Sequence, residues 1–595
     1  MIRIATPLIA LLLALLAPVA TAQPSVREQL AALAERAVAA IADDDPIVAS
    51  FLGLPGVDGR LPRPSEAARA ATIARLEGWK RELEAIERGG GRLGLVDANN
   101  VRLLRALVDQ DLGQLVLRRE DRRSYARPAL YLVAGIFTQF LNLPVVGREG
   151  ATEAHLDRAW NDLVARLEQG SAFIVAGQAL VTEPGRLQAT VGAQQLAGVP
   201  DFFRGPLSEA AAAQMAARPA TLARFAAARD AVLATMAETR AVLDARDASW
   251  PENHAIGKAA YERMLREERL LPFGAAEIEH IGRNLLAHGW AEEAWLTALS
   301  RKHKLPFGPQ SGGGLAPGGP ALVGYYRDRI AELTSFVSEH EIVTVPAWLG
   351  AMQVLETPAF LQPVSPGASM FPPRLFAKSG TGYYFITPPK SLEEAAKRLD
   401  MNEDFDRDRI RATAGHEAMP GHFLQLSIAR RHPDLIRRLQ RDGAFAEGWA
   451  FYGEEMLAQL GLYGDGLDAR LFNARWERVR GARAIVDVKL AAGEWSVEQA
   501  VDFYEKHSGF TRGAAQAAVN GIALGPGYVI SYAVGRLQLQ TLLAEYMLRT
   551  GERGSLRDFH DRLLSYGTTP FAVLGPELLA DLDKPAAAVR EAANY

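Results

Sequence analysis

Apolar residues recur at helical spacing along most of this chain. Between Ser25 and Ile41, Leu30, Leu33, Ala37 and Ile41 fall on one face of a 3.6-residue turn. The same period predicts helices over 65–88, 97–118, 153–182, 206–245, 256–268, 275–304 and 321–339. It returns over 391–399, 404–419, 422–431, 444–461, 467–492, 496–506, 511–519, 527–549 and 555–567. Ala, Leu, Arg and Glu fill these stretches, and all four favour helix intrinsically. Residues 42–66 are rich in Asp, Gly and Pro and predict a long loop. Glu341–Leu349 and Gly382–Thr387 instead carry β-branched and aromatic residues between Pro and Gly clusters, which predicts two strands of a small sheet. The expected architecture is mainly α with a minor β element. It divides near a Gly-rich connector, Gln310–Pro320, into an N-terminal helical lobe (23–320) and a second lobe (321–595).

Composition adds a leader to this picture. Of the 595 residues, 48% are hydrophobic and 23% charged, enough apolar material for a large core. Residues 1–22 stand apart: Arg3, an apolar run from Leu8 to Leu16, a break at Pro18 and the small-x-small sequence Ala20-Thr21-Ala22 before Gln23. That is the pattern of a secretory signal peptide cut after Ala22, and its apolar run is short for a membrane span. The mature chain is therefore expected in the periplasm or outside the cell, with no stable membrane anchor. No Cys is available for lipid attachment or disulfides. Removing one Arg and no acid takes the formal charge from −4 to −5, which excludes an electrostatic case for nucleic acid.

Candidate chemistry is concentrated in the second lobe. His416-Glu417-Ala418-Met419-Pro420-Gly421-His422 places two imidazoles and a carboxylate within seven residues. Neutral imidazole suits Zn²⁺, and a carboxylate beside the metal can take a proton from water. In a straight helix, six residues turn about 600°, so His422 would lie far around the axis from His416. Pro420 removes a helical donor and Gly421 permits unusual dihedrals, so a break is expected there that returns His422 to His416. A third ligand is sought on a later helix. Glu447-Gly448-Trp449-Ala450-Phe451-Tyr452-Gly453-Glu454 offers Glu447 and Glu454 on one face, with Glu447 preferred because Gly448 and Ala450 leave space beside it.

The stretch from His416 to Gln425 resembles the HExxPGHxxQ signature of the DUF885 family, and Glu447-Gly448-Trp449-Ala450 resembles that family's second signature. Weaker similarity covers Asp45-Pro46 to Pro64, Glu341–Pro346, Thr357–Phe360 and Pro526-Gly527 to Gly535, and so nearly all of the mature chain. The resemblance implies a large multi-helix, zincin-like metallopeptidase fold of gluzincin type. It implies His416, His422 and Glu447 as metal ligands and Glu417 as general base. The chain departs from the family pattern at Phe423, near Ala491, at Tyr528 and near Gly521-Ile522, positions tied to the substrate pocket.

Together these residues predict a secreted zinc hydrolase of short peptides. Tyr532, which matches the family's Tyr, is the expected donor to the oxyanion, with Tyr528 as fallback. Arg536, one turn on, is expected to hold a substrate carboxylate. A peptide is expected to add to the edge of the 382–385 strand, beside Tyr384. The alternatives are a zinc amide hydrolase acting on cell-wall peptides or acylated small molecules, and a non-catalytic peptide binder; a retained base at Glu417 argues against the binder. Other motifs carry no chemistry. Gly89–Gly94 matches GxGxxG but follows a helix, not a strand. Asp404, Asp406 and Asp408 lack the Gly and Glu of a calcium loop and suit a helix N-terminus. Neither GxSxG nor GxxxxGK[ST] occurs.

Overall fold

The computed structural model describes residues 24–89, 92–147, 150–246, 249–303, 316, 321–362, 368–388, 407–463, 467–592 and 594–595. The signal-peptide segment, the helix expected over 391–399, Asp404 and Asp406, and most of the 310–320 connector lie outside these residues.

The first half is helical: α1 Val26–Asp44, α2 Pro46–Leu52, α3 Glu66–Gly89, α4 Leu95–Leu112, α5 Glu120–Arg123, α6 Arg127–Leu141, α7 Glu153–Gln178 and α8 Arg186–Ala197. α9 Val199–Arg204, α10 Pro206–Gln214, α11 Pro219–Arg246, α12 Lys258–Arg263, α13 Ala275–His303 and α14 Ala321–Glu339 follow. Three strands come next, β1 Met352–Glu356, β2 Ala368–Phe371 and β3 Gly382–Ile386. The remainder is again helical: α15 Arg407–Glu417, α16 His422–Ala429, α17 Leu435–Arg438, α18 Gly443–Gln459, α19 Leu467–Ala491 and α20 Val497–Ser508. It closes with α21 Arg512–Leu524, α22 Ile530–Thr550, α23 Leu556–Ser565, α24 Phe571–Ala580 and α25 Ala586–Ala592.

Several expectations need correcting. The loop expected over 42–66 contains α2. Asp45 caps it by accepting from the Val48 amide at 3.1 Å, Pro46 opens it, and Gly53 ends it at φ 81°. The single helix expected over 206–245 is two, because Pro219 starts a new one. α6 and α24 were not anticipated. α24 is apolar on most sides and buried, so its stripe is weak; α6 carries an apolar face at helical spacing, Ala129, Leu132, Val133, Ile136 and Phe137, that sequence reading missed.

Glu341–Leu349 is not a strand. Ile342 and Val343 are buried side by side in the core, and the Thr344 amide and hydroxyl donate to the Asp561 carboxylate at 2.8 and 2.7 Å. The sheet begins later, in the order β1-β3-β2, with β1 parallel and β2 antiparallel to β3. β3 is thus the central strand, hydrogen-bonded on both sides, and no peptide can add to it. The edge addition expected at Gly382–Phe385 is closed for that reason. Its two faces serve different cores. Tyr384 and Ile386 pack with Tyr326, Ile410 and Phe423, while Tyr383 and Phe385 pack with Phe137, Phe360 and Phe371.

The cores also cross the expected boundary at residue 320. Leu30, Leu83 and Leu104 share a cluster with Ile436 and Val573. Tyr261 to Leu285 pack with Phe451, Ala484 and Val534, and Leu187 and Val191 with Val486 and Tyr504. α13 and α19 run together, with Gly282 of one against Gly481 of the other. The two halves are one packed unit, and a cleft remains between them.

Candidate metal centre

The break between α15 and α16 is built as the motif requires. Helix α15 ends at Glu417 and α16 begins at His422. Between them the Gly421 amide donates to the Gly415 carbonyl at 3.0 Å, and a Cβ on Gly421 would lie 1.8 Å from the His416 carbonyl oxygen. Only glycine allows that approach. The Trp449 indole, fully buried, donates to the Pro420 carbonyl at 2.8 Å and ties the break to α18. The result brings the His416 and His422 rings to 4.6 Å between centroids, nearly perpendicular.

Helix α18 supplies the carboxylates. The Asp442 side chain caps it by accepting from the Phe445 amide at 2.6 Å. Glu447 Oε2 lies 3.4 Å from His416 Nε2 and 3.3 Å from His422 Nε2. One ion with tetrahedral bonds of about 2.0–2.2 Å sets its ligands roughly 3.3–3.5 Å apart; both carboxylate–imidazole distances match, and all three donor atoms lie within 4.8 Å of one another. A buried atom adds to that fit. Of these donors, Glu447 Oε2 is buried and has no hydrogen-bond partner, a cost that native interiors rarely carry without a ligand or water. His416, His422 and Glu447 are 8%, 8% and 5% exposed.

Glu454 sits behind this group. Its Oε1 is 2.6 Å from His416 Nδ1, and Arg480 grips both of its oxygens at 2.8 and 2.6 Å. A carboxylate on Nδ1 fixes the ring and leaves Nε2 free as the ligand atom. Glu447 is therefore the carboxylate placed among the imidazole Nε2 atoms, and Glu454 the one that orients His416. Burial alone would lower the His416 pKa, but Glu447 and Glu454 raise it to about 10. Burial would raise Glu447, yet His422 and His416 hold it well below the usual carboxylate range. Glu454, against the same burial, is held at about 2 by Arg480 and His416. Glu417 goes the other way: burial dominates and raises its pKa, as suits a base that must hold a proton briefly.

The centre lies in a cleft of about 1000 Å³ whose walls include Phe51, Tyr326, Met370, Glu417, Arg480, Arg483, Tyr528 and Tyr532. Tyr528 donates to Glu447 Oε1 at 2.6 Å. Tyr532 stacks beside His416 at 6.1 Å, under the guanidinium groups of Arg480 and Arg483 at 5.3 and 5.7 Å. Burial, followed by Glu447, raises the Tyr532 pKa, so its phenol stays protonated at neutral pH. No hydrogen bond engages that hydroxyl among the described residues.

Two expected site residues are elsewhere. Arg536 donates to Glu477 at 2.6 Å and Glu455 at 3.2 Å and does not line the cleft, because the turn that carries Tyr532 inward carries Arg536 toward α19. Tyr384 is fully buried in β3 against Tyr326 and does not reach the cleft either. Of the departures from the family pattern, Tyr528 and Gly521-Ile522 line the cleft, whereas Phe423 and Ala491 are core residues. Sequence reading missed Arg480 and Arg483, although Trp476, Arg480 and Arg483 recur at helical spacing on α19 and all face the cleft. A second group, His288, Glu292 and Glu477, also brings donor atoms within 4.8 Å of one another, but Arg536 and His288 already occupy Glu477.

Fold and site together define a mainly helical protein with a small mixed sheet and a buried His–His–Glu cluster on the wall of a cleft. The chain belongs to the bacterial family of unknown function DUF885, whose model matches residues 46–578. Two solved structures have the same fold. One is described as a candidate lipoprotein of unknown function from Shewanella oneidensis, with 22% identity, TM-score 0.69, and 93% of this chain and 100% of that one covered. The other is described as a candidate lipoprotein from Colwellia psychrerythraea, with 18% identity, TM-score 0.76, and 94% and 99% covered. Among curated proteins, none matches the chain.

Proposed function

We propose that this protein is a zinc-dependent peptidase acting on short peptides in the periplasm or outside the cell. The observation that carries the reading is the spacing of 3.3–3.4 Å between Glu447 Oε2 and the two imidazole Nε2 atoms, beside the buried Glu417. His416, His422 and Glu447 would hold the ion. Zinc, when bound, acts as a Lewis acid toward the amide carbonyl and toward water. Glu417 takes the proton of the attacking water and returns it to the leaving amine. Tyr532 offers a neutral phenol to the carbonyl oxygen as it gains negative charge, and the stacked ring fixes where that phenol stands. Tyr528 holds Glu447 Oε1, leaving Oε2 for the ion. The proposed zincin-like classification of the fold rests on the same arrangement: a Glu beside the first His and a third ligand on a later helix.

The leader-like residues 1–22 and the lipoprotein descriptions of the two similar structures support an extracytoplasmic location. Among the described residues no helix is long and apolar enough to cross a membrane. A cleft of this size walled by helices favours short peptides over folded proteins; an amide of a cell-wall peptide or acylated small molecule would be hydrolysed by the same groups.

The test is Glu417→Gln. Elemental analysis should find about one zinc per chain in both wild type and variant, as the three-ligand set implies. Turnover of a mixed peptide library, followed by mass spectrometry, should fall by about 10²-fold or more in the variant. Wild-type turnover in the variant would remove Glu417 from the mechanism, and protein that takes up no zinc would remove the metal centre.

A further inference from the structure

The proposed chemistry uses one part of the cleft. Elsewhere its wall carries four arginines, Arg374, Arg430, Arg438 and Arg441. They belong to different elements but converge on two adjoining segments. The Phe376 amide donates to the Leu52 carbonyl at 2.8 Å, which joins the loop after β2 to the end of α2. Arg374 reaches the Ser50 carbonyl at 3.4 Å, and Arg430 donates to the Ala377 carbonyl. Arg438 lies 5.2 Å over the Phe376 ring and Arg441 lies 5.7 Å over the Phe51 ring. The four cations thus form one arc around Phe51 and Phe376.

None of them has a carboxylate within salt-bridge distance among the described residues. The Nε atoms of Arg374, Arg430 and Arg438 are buried with no partner. Among the described residues the chain supplies no acceptor to these three donors. Burial lowers the pKa of all four guanidinium groups from its ordinary value. The acids that share the cleft do not answer them. Glu417, Glu447 and Glu454 belong to the metal centre, and Asp442, pushed up to about 6 by burial, caps α18. Asp58 acts on Arg374 only from a distance, while its own carboxylate accepts from Ser50. Planar guanidinium groups over aromatic rings, with free N–H edges, suit carboxylates.

We propose that Arg374, Arg430, Arg438 and Arg441 form a subsite for carboxylates, so that the substrates of this cleft are peptides with acidic side chains. The assignment deepens the peptidase reading and rests on it for the word substrate, but the arc's affinity for acidic peptides can be measured without turnover. It also changes the substrate class from short peptides in general to anionic ones, and makes their capture dependent on ionic strength.

Two measurements test it. In the first, full-length mature Glu417→Gln protein loaded with zinc is titrated calorimetrically with a Glu-rich pentapeptide and its Gln counterpart, each with a free or an amidated carboxyl end. The Glu peptide should bind at least about tenfold tighter, the minimum expected of one charge-assisted pair, whichever end it carries. The advantage should shrink toward parity in Arg438→Gln and Arg441→Gln, with circular dichroism and zinc content as controls on folding. Equal binding of Glu and Gln peptides overturns the proposal. So does a preference that follows only the free carboxyl end, which would make the arc an anchor for chain termini. In the second, wild-type enzyme is offered the same peptides at low and high salt. Cleavage biased about tenfold or more toward Glu, and losing that bias at high salt, supports the proposal; unbiased cleavage overturns it and leaves the peptidase reading standing. If no peptide is cleaved but the binding preference holds, the arc stands and the peptidase reading falls.

Discussion

At the residue scale, the centre depends on pairs of groups whose environments push them apart. His416 and Glu417 are neighbours in sequence, yet Glu454 and Glu447 favour a proton on the first while burial favours a proton on the second. This has a consequence for metal uptake. In metal-free protein His416 has a pKa of about 10, so at neutral pH a metal must displace its proton. Zinc affinity is expected to rise by about tenfold per pH unit through the neutral range, approaching a plateau near pH 10. Titration against a competing chelator of known pH dependence checks this; a flat affinity between pH 6 and 8 would mean that His416 carries no proton to lose. The phenols can be separated the same way. Tyr532→Phe keeps the ring stacked on His416 and removes only the hydroxyl, so kcat should drop by about 10-fold or more. Zinc content and thermal stability should stay within error. An unchanged kcat would return Tyr532 to a packing role and leave Tyr528 to be tested.

At the element scale, the site is set by how α18 meets its neighbours. Helices α18 and α22 cross at Gly448 and Gly535. A Cβ on Gly535 would lie 1.9 Å from the Ala444 carbonyl oxygen, and one on Gly448 would lie 2.4 Å from Gly535 backbone. The crossing brings Glu447 from one helix to Tyr528, just before the other. Gly535→Ala must push the helices apart, at a cost of about 1–3 kcal/mol for an overpacked contact. Because Tyr528 holds Glu447, zinc affinity should weaken along with stability. Denaturant unfolding with parallel metal titration checks the pair, and a variant that loses stability but keeps full zinc affinity would show that the crossing does not position Glu447. The Asp487 carboxylate steadies the same turn by accepting from the Gly527 amide at 2.8 and 3.0 Å and the Tyr261 hydroxyl at 2.8 Å.

At the scale of the whole molecule, the cleft exists because the two halves of the chain share their cores. Arg437 donates to Glu577 and Asn100, and Asn99 donates to Glu577, in a buried network that joins α4, α17 and α24. β3 buries Tyr383 and Phe385 against residues of α6 and α9. A fragment of residues 321–595 would expose these faces together with the side of α19 that α13 covers. It should therefore not fold alone: circular dichroism and calorimetry should find no cooperative transition for the fragment, whereas the full mature chain should show one. A cooperative melt of the fragment would restore the two-lobe division that the Gly-rich connector suggested.

Much of this was legible without coordinates, and the reason is local. The helices with one apolar stripe, such as α1 and α20, announce themselves by period, and the structure adds capping boxes at Ser25 with Glu28 and Ser496 with Gln499. The break between His416 and His422 follows from Pro420-Gly421, since backbone chemistry alone forbids a straight helix there. The sequence by itself determined a mainly helical chain, the DUF885 membership that its motifs announced, and the two imidazoles and carboxylates placed to meet. Only the tertiary structure decided which carboxylate stands where: Glu447 and Glu454 share a helix face, and their difference comes from Arg480 and Tyr528, which arrive from other helices. The same holds for β3, which becomes a closed central strand only when β1 and β2 pair on both sides of it. It holds also for Arg536, whose side chain is taken by Glu477 across a helix contact, and for the arginine arc, whose members are distant in sequence. Periodicity and capping act within a few residues. Burial, electrostatic pairing and strand order act between segments hundreds of residues apart, and no local pattern encodes them.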